Sequence, residues 1–211
     1  MMTQDLYKTD LFLSSLLNYF QVTTPIKKMN TVNALIEEVL KKNKAQLEDK
    51  RAQLSKKLEE NLPEIIVPDE QLKYILNSVL QYVILSIPPD GSIEFLTTSF
   101  VFQGEIGGTQ AFFERYGGYI EISVVFSGGR EPGGQPATAW GRISTTHMDE
   151  ALEFILRLVK GMVLRNWGKM NFETDKKKGK TILSLRFPLE RRKVFFYESI
   201  RINPSASHPK S

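Results

Sequence analysis

The 211-residue sequence predicts an α+β fold. The expected architecture is a two-layer α/β sandwich: a mixed, mostly antiparallel sheet with helices on one face, preceded by an N-terminal helix. Three observations predict it. Apolar residues recur at helical spacing around 5–20, 31–42, 69–86 and 149–166. Alternating runs rich in β-branched and aromatic residues occupy 92–102, 119–126, 169–174 and 181–189. Proline- and glycine-rich breaks separate the two kinds of segment, so helices and strands interleave along the chain.

The elements follow in order. Leu6, Leu11, Phe12, Leu13, Leu16, Leu17 and Phe20 are too many for one narrow helix face. Such a helix packs either on its own domain or against a second copy, and Pro25 ends it. Thr31 caps the next helix, with Val32, Leu35, Ile36, Val39 and Leu40 on one side and Glu37, Glu38, Lys41 and Lys42 spaced as i,i+4 pairs. Propensity alone would carry that helix to Glu60, while 52–58 also reads as a strand, and periodicity leaves both open. Pro63 and Pro68 bracket an extended Glu-Ile-Ile-Val stretch. Asp69 is expected to cap a helix that turns Leu72, Ile75, Leu76, Val79, Leu80 and Val83 inward. Pro88-Pro89-Asp90-Gly91 is a turn into strand 92–102, and a glycine-rich connection over 104–118 leads to strand 119–126. A Gly/Pro-rich loop spans 128–141, an amphipathic helix 149–166 follows, and a lysine-rich turn joins the last two strands into a hairpin. Residues 190–211 form a basic tail.

Composition removes several chemistries. There is no cysteine, which excludes disulfides, thiol catalysis and cysteine-ligated metal sites. The two histidines, His147 and His208, exclude a multi-histidine metal site within one chain. No apolar run approaches the roughly 18–20 residues that cross a bilayer. The first ten residues lack the basic-then-apolar secretion pattern, so a cytoplasmic location is expected. The net charge of +4 is unevenly placed: Asp149–Ser211 holds 14 Lys/Arg against 7 Asp/Glu, leaving about −3 for the first 148 residues. That basic third permits a nucleic-acid partner. Without an aromatic-interleaved binding motif it reads as a solvated hairpin turn and tail.

The stretches VNALIEEVLKKNKAQLEDK and NLPEIIVPDEQLKYILNSVLQYVILSIPPDGSI, with the closing WGKMNFETDKKKGKTILSLRFPL, resemble the ATP-binding domain of sensor histidine kinases, of the GHKL superfamily with the Bergerat fold. The resemblance covers about residues 31–189. Residues 1–30 would then match the end of a dimerisation helix and its linker. It implies an asparagine-bearing helix whose amide oxygens hold Mg²⁺, an aspartate for the adenine amino group, and glycines that bring backbone close to phosphates.

The sequence departs from each of these. The resemblance sets Ser78 and Tyr82 where the family carries asparagine; Asn77 is one residue off, about 100° around the helix. Phe126 falls at the aspartate position, followed by Ser127, Gly128 and Gly129. Glu153-Phe154-Ile155-Leu156 replaces the second glycine box, setting a negative charge where phosphates sit in the family. Gly128, Gly129, Gly133 and Gly134 lack the P-loop spacing and read as a lid remnant. No histidine precedes His147, so no phosphoacceptor is found; His147 reads as a helix-start residue and His208 lies in the tail.

No catalytic residue is therefore assigned. The adjacent carboxylates Glu37/Glu38 and Glu59/Glu60 read as surface charge rather than a convergent acid–base pair. Tyr82, Phe126, Phe112, Phe113 and Trp140 are candidates to fill the former nucleotide cavity. The expected function is a non-catalytic regulatory protein needing no cofactor, a pseudokinase of a two-component pathway that meets a kinase or response regulator. Leu13, Leu16, Leu17 and Phe20 would form its self-association face. The alternative is a divergent kinase component that still takes ATP and Mg²⁺ through Asn77, Ser127 and the loop glycines.

Overall fold

The computed structural model describes residues 9–10, 12–17, 19, 30–101, 117–127, 145–175 and 179–189, with backbone only for 145–149. The expected loop 128–141, the lysines 176–178, the tail, Phe20, Phe112, Phe113, Trp140, His208 and all four loop glycines lie outside them.

Helix α1 (Val32–Lys42) begins as the sequence suggests: Thr31 Oγ1 accepts the Ala34 N–H at 3.2 Å. It does not run on to Glu60. The chain breaks at Asn43, forms a short α2 (Lys44–Asp49), and then enters strand β1 (Gln53–Leu58). The stop is a Schellman closure: Arg51 takes φ +50°, its N–H reaches Glu48 O, and Ala52 N–H reaches Leu47 O. Arginine holds a position that glycine usually fills, so no glycine marked the break. The carboxylates of α1 pair across elements rather than along the helix, Glu37 with Lys56 at 2.6 Å and Glu38 with Lys73 at 3.0 Å.

Helix α3 (Asp69–Ser86) follows, with Ile75, Val79, Leu80 and Val83 fully enclosed. The expected cap is corrected. Pro68 holds the cap position without a side-chain bond, and Asp69 lies inside the first turn. Its Oδ2 accepts both the backbone N–H (2.9 Å) and the side-chain amide (2.7 Å) of Asn30, tying the preceding linker to the helix start.

Strands β2 (Ser92–Val101) and β3 (Gly118–Ser127), helix α4 (Thr145–Arg165), and strands β4 (Lys169–Asp175) and β5 (Lys180–Pro188) complete the order. The five-stranded sheet runs β1-β2-β3-β5-β4. β1 and β2 are parallel; every other pair is antiparallel. This is the mixed, mostly antiparallel sheet the sequence predicts. Ile93, Phe95, Ile120, Ile122, Val124, Phe126, Leu183, Leu185 and Phe187 point from one face into the core beneath α1, α3 and α4. The other face carries polar pairs, Arg186 with Glu121 and Ser123 Oγ 3.0 Å from Ser184 Oγ, beside the stacked rings of Phe100 and Tyr119. Glu59 is more than surface charge. Its carboxylate takes the Ser99 N–H (2.6 Å) and hydroxyl (2.5 Å), fastening the exit of β1 to β2.

The N-terminal helical residues use two faces. Phe12 packs on Phe154 (4.7 Å), Ser15 is buried with its carbonyl facing the Tyr74 hydroxyl at 3.4 Å, and Tyr19 meets the Tyr74 ring edge-on at 6.1 Å. Leu13, Leu16 and Leu17 face outward at 54%, 37% and 59% exposure.

Candidate functional site

Tyr82 and Phe126, distant in sequence, meet because α3 lies over the inner face of β3. Tyr82 occurs one turn after Ser78 on α3; Phe126 is the last inward residue of β3. Their rings lie 6.2 Å apart, edge to face. Phe172 from β4 completes the group, 6.0 Å from Tyr82 and 6.5 Å from Phe126, again edge-on. Such crossed pairs set the positive ring edge on the negative face and stabilise by about 0.5–1.5 kcal/mol each beyond area burial. Phe126 is 0% exposed and Tyr82 is 4% exposed. Phe172 was missed in the sequence. The signal was the alternation Met170, Phe172, Thr174, which turns Phe172 to the helix-covered face opposite Leu183.

The remaining residues of the expected pocket are placed as follows. Asn77 does not turn toward the rings; its Oδ1 accepts from Asn43 Nδ2 at 2.9 Å, joining α3 to the end of α1. Ser127 Oγ accepts the Ser92 N–H at 2.7 Å and closes the start of β2. Ser78 is buried beside Tyr74. Burial pushes the Tyr74 hydroxyl up from 10.0 to about 12, partly countered by its hydrogen bond with Ser78. Glu153 pairs with Arg157 one turn along α4 at 3.6 Å, while its neighbour Phe154 receives Phe12. The backbone of His147 lies in the first turn of α4.

The structure thus brings Tyr82 and Phe126 together, adds Phe172, and commits Asn77 and Ser127 to bonds with Asn43 and Ser92. Mg²⁺ prefers several oxygen ligands in near-octahedral array. The three rings contribute one phenol oxygen between them. Among the described residues no group of three or more His, Asp or Glu could hold a metal ion. No described helix is long and apolar enough to cross a membrane.

No protein-family model matches the chain, and no curated protein matches it in sequence. Solved structures do match in fold. The nucleotide-free catalytic domain of the histidine kinase ThkA superposes with a TM-score of 0.52 at 14% identity, covering 79% of this chain and 97% of that one. The Acinetobacter baumannii histidine kinase AdeS gives 0.55 at 11% identity, covering 85% and 77%. Full-length ShkA in complex with AMPPNP gives 0.55 at 14% identity, covering 86% of this chain and 36% of that one. The fold is that of a sensor histidine kinase catalytic domain, as the sequence resemblance implies.

Proposed function

We propose that the chain is a non-catalytic signalling module: a histidine-kinase catalytic-domain fold whose nucleotide pocket is filled by its own aromatic side chains, acting through protein–protein contact in a two-component-type pathway. The observation that carries this reading is the ring cluster of Tyr82, Phe126 and Phe172. Two of its members stand where the family resemblance sets the Mg²⁺-binding asparagine and the adenine-binding aspartate. A phenol and a phenyl ring replace two polar functions, and a third ring, Phe172, packs against both. Mg-ATP does not fit this donor set. The module needs no cofactor on this reading, works in the cytoplasm, and meets a kinase or a response regulator.

The test is thermal unfolding with and without millimolar ATP and Mg²⁺. A ligand present at about 100 times its Kd stabilises by ~2.7 kcal/mol, a shift of several degrees. The expected result is no shift. A Mg²⁺-dependent rise would overturn the reading in favour of a divergent nucleotide-binding component.

A further inference from the structure

The sheet face turned away from the helices ends in an apolar band. Phe100 on β2 and Tyr119 on β3 are cross-strand partners there, with their rings stacked at 4.7 Å. The Arg186 guanidinium continues the stack, 5.3 Å from the centre of the Tyr119 ring. Phe100, at the open end of the stack, is 41% exposed. Ile66 extends the band past β5. Ile65 bridges Leu189, and Ile66, between the buried Ile65 and Val67, is 41% exposed. The chain leaves the described part at this same place: Leu189 N–H bonds Gly118 O at 3.2 Å, one residue from Tyr119. Four charged residues follow at 190–193, then Val-Phe-Phe-Tyr-Glu-Ser-Ile-Arg-Ile over 194–202.

We propose that residues 194–202 of this chain fold back over the band, setting rings of the Phe195-Phe196-Tyr197 run against Phe100 and Ile66. Reach permits it. Tyr119 pairs with both Pro188 and Phe100, so Phe100 lies two strand spacings, about 10 Å, from the end of β5. The five steps from Leu189 to Val194 span up to about 17 Å. Chemistry selects it. Six of the nine residues at 194–202 are aliphatic or aromatic, and such a run gains by leaving water. A stack that ends in an exposed ring takes a further ring well. Attachment favours this segment over a free one of the same kind, because a short tether holds it at millimolar effective concentration. Residues 102–116 border Phe100 too, but their ends are held on β2 and β3, and Gln103, Gly104, Glu105, Gly107 and Gly108 interrupt their apolar residues. Nothing in this argument depends on the ring cluster at Tyr82, so the two readings stand or fall separately.

The chain has no cysteine, so Ser199→Cys accepts a single nitroxide label in the full chain. Paramagnetic broadening of the backbone amides then reports what the labelled segment lies on. The expected result is broadening concentrated at Phe100, Tyr119 and Ile66. It should fall to the level set by the tether alone in Phe195→Ser/Phe196→Ser/Tyr197→Ser, a variant that leaves the sandwich untouched. Phe100→Ser alters a partly exposed side chain and should release the segment as well, with the β3 and β5 amide shifts otherwise kept and trypsin cleavage after Arg201 about tenfold faster. An equal mixture of nitroxide-labelled chain and isotope-enriched chain without the label should show no broadening. Broadening in that mixture would overturn the proposal in favour of contact between two copies. Equal broadening in the parent and the triple variant, broadening centred on another face, or parent-like values in Phe100→Ser would each overturn it too.

Discussion

Phe126 sits in a fully enclosed space bounded by Tyr82 and Phe172, so its replacement measures how dry that space is. Phe126→Asp removes a ring and sets a carboxylate among apolar groups; a loss of more than about 4 kcal/mol is expected from urea unfolding. Phe126→Leu should cost only about 1–2 kcal/mol. An aspartate tolerated within about 1 kcal/mol would mean a wet, open pocket and would count against the plug. Tyr74 supplies a pH signature. Its hydroxyl titrates near 12 in the folded protein, above the ordinary 10.0, because burial disfavours the phenolate. The unfolded chain therefore loses this proton first. The contribution of Tyr74 is complete below pH 10 and drains away between pH 10 and about 12. Urea unfolding across that range should show a Tyr74→Phe variant falling less steeply than the parent, by up to about 2 kcal/mol at the alkaline end; parallel curves would show the phenol to be solvated. The substitutions at Tyr82 and Phe126 could be read from the sequence because each stands at a position the resemblance marks. The partners of Asn77 and Ser127 could not, since a hydrogen bond to a distant Asn43 or Ser92 leaves no trace in spacing.

Among the elements, the N-terminal helix shows why a dense apolar stripe has two explanations at once. Phe12 and Tyr19 pack on Phe154 and Tyr74, so the helix is bound to its own domain. Leu13, Leu16 and Leu17 remain on the outside, offset around the helix from that contact. The same sequence run thus holds an intramolecular face and a candidate self-association face. Sedimentation velocity should give a dimer for the parent chain and a monomer for Leu13→Glu/Leu16→Glu/Leu17→Glu. A parent chain that is monomeric across the accessible concentrations would remove the self-association half of the functional reading. The segment 52–58 stayed ambiguous for a definite reason. Leu54 and Leu58 lie four apart, which puts them on one face of a helix and on one face of a strand alike. With the rest of β1 polar and exposed, no other residue separates the two. What decided it was the left-handed turn at Arg51, a conformation that arginine does not advertise.

On the scale of the whole molecule, the alternation of helices and strands sufficed for the two-layer architecture, but not for the sheet order. That β1 lies parallel to β2, across the whole of α3, is a non-local pairing without a sequence signature. The basic third of the chain is divided: β4, β5 and α4 bear part of its charge within the sandwich, while residues 190–211 lie outside the described part. Hydrogen exchange should grade the sheet by position. The amides of β3 and β5, which pair on both sides, should be the slowest, and those of β1, which among the described residues pairs on one side only, should exchange at least about tenfold faster. Uniform protection across all five strands would show that a further partner covers β1. The parallel ladder also bears on how the chain assembles. Gln53 cannot meet Ser92 until α3 and the following turn exist, and such long closures form late. During synthesis β1 leaves the ribosome well before β2, its partner among the described strands. For that interval it is an unpaired strand in a crowded cell, and Lys56 and Lys57 are the charges that keep it in solution while it waits.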